Sequence, residues 1–299
     1  MFANPYQNAV IGVEKGLKAN FHTHAGTGKG TCGHNEIDDV LEAYKDAGYR
    51  VLTISNHDLL TDTQEYEKKY DMILLNGYEY SKTPHMLCIN CNEVCTGNHQ
   101  QAIDSCLNEG GFVILCHPNW IHKEYWPWNE IDSIHGFAGI EIYNHLIYRL
   151  EGSGLATDTW DYLLSNGKLA WGFGNDDFHR WHDLARVWNV ILSTSHSHSD
   201  IQSAILSGSF YATTGLLLSE FKFEDDVIQI SAQFKNTYIK DYQYRFIGQN
   251  GKLLDQQTGE RGIYRLEGNE KYVRVEVIAE NGARLWTQPV YNRDCFKKP

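Results

Sequence analysis

The feature that most constrains this chain is one event repeated down its first two thirds. Five times an apolar, strand-like run ends and a His, Asp or Glu stands just beyond it. His22 and His24 follow residues 17–21, His57 follows VLTISN, Glu79 follows MILLNGY, His117 follows FVILC, and Asp177 with His179 follows LAWGFGND. On a strand, residues i and i+2 share a face, so both imidazoles of a His-x-His can reach one metal ion. Parallel strands all end on the same side of their sheet, so residues far apart in the chain would meet there.

Between these runs the spacing predicts helices. Asn35 is the expected N-cap of a helix through residue 46, with Ile37, Val40, Leu41 and Tyr44 on one face and Gly48 as the stop. The strand 51–55 follows at once, a βαβ step that implies parallel sheet. Further strands are expected at 72–75, 86–89 and 112–116, with helices at 99–108 and near 157–164, then a strand into Phe173, the run VWNVILST and a short helix over 200–206. This alternation predicts an α/β chain whose first part, residues 1–215, closes into a (β/α) barrel. From about residue 216 the pattern changes to period two, with turns at Asn250-Gly251, Gly268-Asn269 and Asn281-Gly282. Residues 216–299 are therefore expected to form a small antiparallel β-sandwich.

The 299 residues suffice for both parts, and the formal net charge of -12 disfavours a sequence-independent grip on duplex nucleic acid. An anionic substrate would then need local positive charge, for which bound divalent metal is the natural source, and 14 His suit that supply. The first residues lack a basic segment followed by an apolar core, so no export signal is expected, and no apolar run reaches membrane-spanning length. Seven scattered Cys fit a reducing cytoplasm. Cys88, Cys91 and Cys95 in CINCNEVC read as buried thiols in a strand and the turn after it rather than as a metal knuckle. The loop AGTGKGTCG lacks the spacing of a nucleotide-binding fingerprint and reads as a cover over a site.

Taken together, HTH at His22–His24, the NHD triplet at 56–58, Glu79, His85, CHPN with His117, and NDDFH ending in His179 resemble the PHP (polymerase and histidinol phosphatase) family of metal-dependent phosphoesterases. The likeness runs in motif order over about residues 17–215, and is similar to a subgroup in which a β domain follows the barrel. The resemblance implies a distorted seven-stranded barrel, (β/α)7, holding two or three divalent ions. By its motifs, His22, His24 and Asp177 would hold the first ion, and Glu79 would bridge the first and third. His85 and His117 would complete the third; His57 and His179 would hold the second, with His34 as its remaining early ligand. The family often has Asp where this chain has Asn56, an uncharged amide expected to support ligands rather than bind metal.

Imidazole and carboxylate donors suit Zn²⁺, Mn²⁺ or Fe²⁺ and argue against a copper site. Clustered divalent ions lower the pKa of a bound water and bind phosphoryl oxygens in an in-line displacement. The expected activity is hydrolysis of a small-molecule phosphate ester, with His22, His24, Glu79, His117, Asp177 and His179 as the catalytic set. Arg180, Asn144, Lys29 and His182 are candidates for substrate contact, Arg180 foremost because a guanidinium holds phosphate oxygens bidentately. Asn119 is a further candidate, and Trp120, Trp126, Trp128 and Trp181 are expected either to wall a pocket or to pack between loops. Asp58 is expected to cap the segment after it, and His196 with His198 to lie in a Ser-rich surface loop. The alternatives are an amidohydrolase-like or carboxylester metal hydrolase, and a catalytically silent metal-binding module.

Overall fold

Local signals place the helices close to where the sequence pattern puts them. The computed structural model describes residues 1–120, 125–235 and 241–296. The helix Ile37–Asp46 buries Val40, Leu41 and Tyr44 on one stripe. Its end is fixed by Gly48 at φ +84°, where Gly48 N–H donates to Lys45 O and Tyr49 N–H to Tyr44 O, a pair of bonds that satisfies orphan carbonyls and needs a left-handed residue. Asn35 is not its cap; the Asn35 carbonyl accepts from Gly26 N–H at 2.7 Å, and Glu36 holds the capping position without a side-chain bond to the helix amides. The helix His99–Asn108 opens on a reciprocal box, with Asn98 Oδ1 accepting from Gln101 N–H and Gln101 Oε1 accepting from Asn98 N–H.

The chain divides into two compact units, and the division is not a single cut after residue 215. One comprises Lys18–Ala156 and Phe173–Trp188. In it the strands Leu17–Asn20, Val51–Leu52 and Ile73–Leu74 pair in parallel, with Ala19 opposite Val51 and Val51 opposite Ile73. A five-stranded sheet runs in the order Gly77–Tyr80, Met86–Ile89, Phe112–Leu115, Gly139–Asn144 and Trp171–Asn175. Its first two pairings are antiparallel and the third is parallel. Phe21 packs edge-on against Phe112 and Phe173, at 6.1 and 5.8 Å between ring centres, and a second apolar cluster lies under the first helix around Tyr44, Tyr49, Leu52 and Met72.

The expected (β/α)7 barrel is therefore incorrect. Among the described residues the strands fall into several sheets, none of them closed, and no helix exceeds ten residues. Single bridges, His57 with Glu79 and Thr23 with Phe178, stand where a barrel would need continuous ladders. The cause is the segment between Tyr80 and Met86: residues 81–85 are too few for a parallel crossover, so the next strand returns antiparallel.

The other unit comprises Met1–Leu17, Thr157–Gly172 and the chain from Asn189 onward. Its strands Phe2–Ala3, Val290–Asn292, Tyr272–Ala279, Arg284–Thr287 and Phe210–Thr213 form one antiparallel run, with Tyr242–Ile247 and Leu253–Gly259 alongside. A three-stranded sheet of Leu217–Glu224, Val227–Gln233 and Gly262–Arg265 packs on it through Tyr6 against Phe221 and Phe246 against Tyr264. Asn250 and Gly251 are both left-handed, as a tight hairpin turn requires. The helix Thr157–Ser165 belongs to this unit, and its buried Asp161 accepts from Arg274 Nε at 2.8 Å, Arg274 Nη2 at 2.6 Å and Tyr272 Oη at 2.8 Å. Among the described residues no helix is long and apolar enough to cross a membrane.

Candidate metal centre

The strand ends of the first unit deliver the imidazoles and acids to one place even though no barrel forms. Register explains how: Tyr80 pairs with Met86 and Met86 with Leu115, so the end of one strand, the start of the next and the end of the third lie level. Glu79, His85 and His117 are therefore neighbours, although they come from strands of opposite direction. His22 and His24 leave the strand Leu17–Asn20 on alternate positions, and Asp177 leaves Trp171–Asn175. His117 and Asp177 take left-handed φ values of +30° and +52°, conformations that L residues avoid unless their surroundings hold them there.

Glu79 is the hub. Its Oε1 lies 2.9 Å from His85 Nδ1 and 3.3 Å from His117 Nε2, and its Oε2 lies 3.3 Å from His22 Nε2, 3.2 Å from His24 Nε2 and 3.1 Å from His57 Nδ1. Asp177 Oδ1 lies 3.2 Å from His22 Nε2, 3.4 Å from His24 Nε2 and 3.4 Å from His179 Nδ1. Despite these short distances, His22 Nε2, His24 Nε2, His57 Nδ1 and Asp177 Oδ1 are buried with no hydrogen-bond partner among the described residues. Atoms this close that do not bond one another point at a shared position between them. Ligands about 2.0–2.2 Å from a zinc-like ion stand about 2.8–3.1 Å apart along the edges of an octahedron and about 3.3–3.6 Å apart along those of a tetrahedron, and the separations found here fall within that span.

Among the described residues four groupings could hold a metal ion: His22, His24 and Asp177; His57, Glu79 and His85; His22, Glu79, Cys116 and His117; and His24, Cys32, His57 and His179. The residues present thus fit such an ion. The charge balance agrees. Burial alone would raise the Glu79 carboxyl, but the charge of His22 and contacts from His117, His22 and His24 hold it well below the ordinary carboxylate range. Burial would also raise Asp177, and His22, His24 and His179 hold it low instead. Burial works to lower the imidazole of His22, yet Asp177, Glu141 and Glu79 raise it well above its ordinary value. These acids are built to sit beside positive charge.

A surrounding layer orients the ligands. Glu141 is fully buried; its Oε1 accepts from His22 Nδ1 at 2.8 Å and Asn175 Nδ2 at 3.0 Å, and its Oε2 accepts from His117 N–H and Asn144 Nδ2, both at 2.8 Å. With Nδ1 of His22 donating to Glu141, Nε2 is the nitrogen facing Glu79 and Asp177, and in the neutral ring it would carry the lone pair for an ion. Asn144 also donates to Asp177 Oδ2 at 3.1 Å and accepts from Ile147 N–H, and its side chain is fully buried. Asn56 holds the loop after His24, accepting from Ala25 N–H and donating to Ala25 O. Asp176 turns away from its neighbour and accepts from the amides of Ala185, Arg186 and Val187 and from Tyr44 Oη; burial raises its carboxyl to about 6.

The remaining candidates separate. A cavity of about 310 Å³ opens beside the centre, lined by His34, His57, Glu79, His85, His117, Trp120, Arg149, Asp177, His179 and Arg180, with Leu146, Ile147 and Leu150. His34 and Arg180 thus reach the cavity, but His34 belongs to none of the four groupings, and Cys32 stands in the place expected for it. Burial would raise the Cys32 thiol, but contacts with His179, His24 and His57 bring it down to about 4. Lys29 and His182 are exposed and line no part of this cavity; His182 lies 3.4 Å from Asp183. Asp58 accepts from Ser81 N–H at 3.1 Å and caps no helix. Trp120 stands against His117 with ring centres 5.1 Å apart, Trp126 is buried and donates to His85 O, and Trp128 and Trp181 are half exposed. Asn119 donates to Leu155 O. His196 and His198 are exposed, and Cys88 and Cys91 are buried, Cys91 Sγ beside Cys106 Sγ at 2.7 Å.

The sequence reading missed Cys32, Glu141, Cys116 and the pair Arg149–Asp183, in which Nε and Nη2 meet the two carboxylate oxygens at 2.8 and 3.0 Å. An acid in the otherwise apolar run GIEIYN was the available signal for Glu141. No family model matches the chain, and the comparison with curated proteins found no match.

Proposed function

We propose that the protein is a metal-dependent phosphoesterase of the PHP type, acting on the phosphate ester of a small molecule at a centre of two or three divalent ions. The observation that carries this reading is Glu79, a buried carboxylate whose two oxygens face two different sets of imidazoles. One carboxylate reaching two ligand sets is what adjacent ions require. When bound, such ions supply Lewis acidity toward phosphoryl oxygens and a water acidic enough to attack at neutral pH.

The chain's own groups do the rest. His22, His24, His117, Asp177 and Glu79 provide the inner ligands, and Glu141 fixes the His22 ring by accepting its Nδ1 proton. Arg180 lines the cavity and is exposed, placed to take the outer phosphate oxygens. Arg149 lines it too, its guanidinium held in one orientation by Asp183. Trp120 and Leu150 offer apolar wall to the organic part of the ester.

The test is turnover by the purified protein loaded in turn with Mn²⁺, Fe²⁺ and Zn²⁺, against phosphomonoesters, phosphodiesters, carboxylesters and amides. Hydrolysis of a phosphate ester is expected, and His117→Ala is expected to lose both metal content and rate. Turnover confined to carboxylesters or amides would replace this reading with the alternative hydrolase, and less than about one ion per chain would leave a site that does not assemble.

A further inference from the structure

We propose that Cys32 is a metal ligand, and that its thiolate, with His57, His179 and the Nδ1 edge of His24, forms a zinc-selective position within the centre. This rests on the metal-centre reading above and goes beyond it in naming a soft donor and the ion it selects.

The geometry is specific. Cys32 Sγ lies 3.2 Å from His24 Nδ1 and 3.5 Å from His179 Nε2, and the four ligand atoms of His24, Cys32, His57 and His179 lie within 4.8 Å of one another. With Zn–S at about 2.3 Å and Zn–N at about 2.0–2.1 Å, a tetrahedral S···N edge is about 3.5 Å. His179 Nδ1 donates to the Asp177 carbonyl at 3.0 Å, so its Nε2 carries the lone pair, and that lone pair faces the sulfur. Without an ion, a single proton shared between Sγ and Nε2 holds this pair together, and a divalent cation bound by the thiolate and the neutral imidazole would take that proton's place. His57 Nδ1, in the same group, is buried without a hydrogen-bond partner among the described residues.

The loop is also shaped to deliver the sulfur. A Cβ at Gly33 would stand 2.9 Å from Ala25 Cα and 3.0 Å from His24 O, so only glycine lets the chain return this closely and set Cys32 beside His24. Gly26 N–H donates to Asn35 O at 2.7 Å and closes the loop, and Thr31 Oγ1 donates to Gly26 O at 2.9 Å inside it. The glycine-rich stretch is therefore a clasp for Cys32. Thiolate favours zinc over the harder Mn²⁺ and Mg²⁺, while the Glu79 and Asp177 positions keep a harder donor set.

Cobalt(II) substitution of the full-length protein tests this, because a thiolate ligand adds an intense sulfur-to-cobalt charge-transfer band in the near ultraviolet that imidazole and carboxylate do not. The wild-type protein is expected to show the band, Cys32→Ser to lose it, and Cys116→Ser to keep it. Cys32→Asp is expected to recover cobalt content without the band, and to lower zinc affinity about 10–100-fold while manganese affinity holds, at least the scale on which ligand supports act. If wild-type protein binds cobalt without the band, or Cys32→Ser retains it, the thiolate ligand is overturned and the metal centre stands. Failure of the wild-type protein to bind cobalt or zinc at all overturns both.

Discussion

Among the described residues Glu141 accepts from four donors: the His22 ring, the His117 amide and the side chains of Asn144 and Asn175. Glu141→Gln would press an amide NH₂ against one of these N–H groups while leaving every proposed metal ligand in the chain. We expect metal affinity to fall about 10–100-fold with the fold intact, read by competition with a chelator and by circular dichroism. Unchanged affinity would mean that the His22 ring needs no support. At this scale the sequence was informative where residue type and position coincide. His22, His24, Glu79, His117 and Asp177 stand at the ends of apolar runs, and the structure brings them together. Cys32 was not legible, because it lies in a glycine-rich loop whose path is set by one close approach at Gly33 that no periodicity records. His34 carried the more familiar ligand chemistry, but it sits one residue beyond that approach and faces the cavity instead.

Gly48 illustrates what an element needs from one residue. Its φ of +84° lets the helix Ile37–Asp46 end and the chain turn into Val51–Leu52, and a Cβ there would meet no atom within 4 Å. Gly48→Ala therefore isolates backbone strain from packing, and we expect it to destabilise the protein by about 1 kcal/mol in urea unfolding, with no change in metal content. The buried pair Asp161–Arg274 makes a harsher case, since both side chains are almost wholly enclosed. Arg274→Met should cost about 3–5 kcal/mol by leaving a carboxylate enclosed without its charge partner. A loss below about 1 kcal/mol would show that Tyr272 alone satisfies Asp161. Elements were legible where local signals are strong: the helix expected at 99–108 is found as His99–Asn108, and Asn250-Gly251 predicts its hairpin. The direction of pairing was legible too, and was misread. Residues 81–85 leave no room for a crossover, so Gly77–Tyr80 and Met86–Ile89 had to form a hairpin, which is inconsistent with a uniform (β/α)7 succession.

For the molecule as a whole, the net charge of -12 is compounded by acids buried side by side in one unit, Glu79, Glu141, Asp176 and Asp177. All the proposed ligands belong to the unit Lys18–Ala156 and Phe173–Trp188, so folding that unit brings its carboxylates together, and anything that binds them only when assembled must stabilise it. Linkage sets the scale: an ion present at 100 times its dissociation constant adds about 2.7 kcal/mol. For a unit of this size that corresponds to a rise of roughly 5–10 °C in Tm. Chelator-treated protein should therefore melt lower than protein with added zinc, and hydrogen exchange at residues 18–25, 51–58 and 173–179 should slow when zinc returns. Asp177→Asn separates a bound ion from general salt effects, because it keeps the shape of the side chain and removes one charged ligand. Its Tm should respond less to zinc than the wild-type value does. Equal responses in the two proteins, or no response in either, would mean that the buried acids are balanced by their own imidazoles and that no ion completes the site.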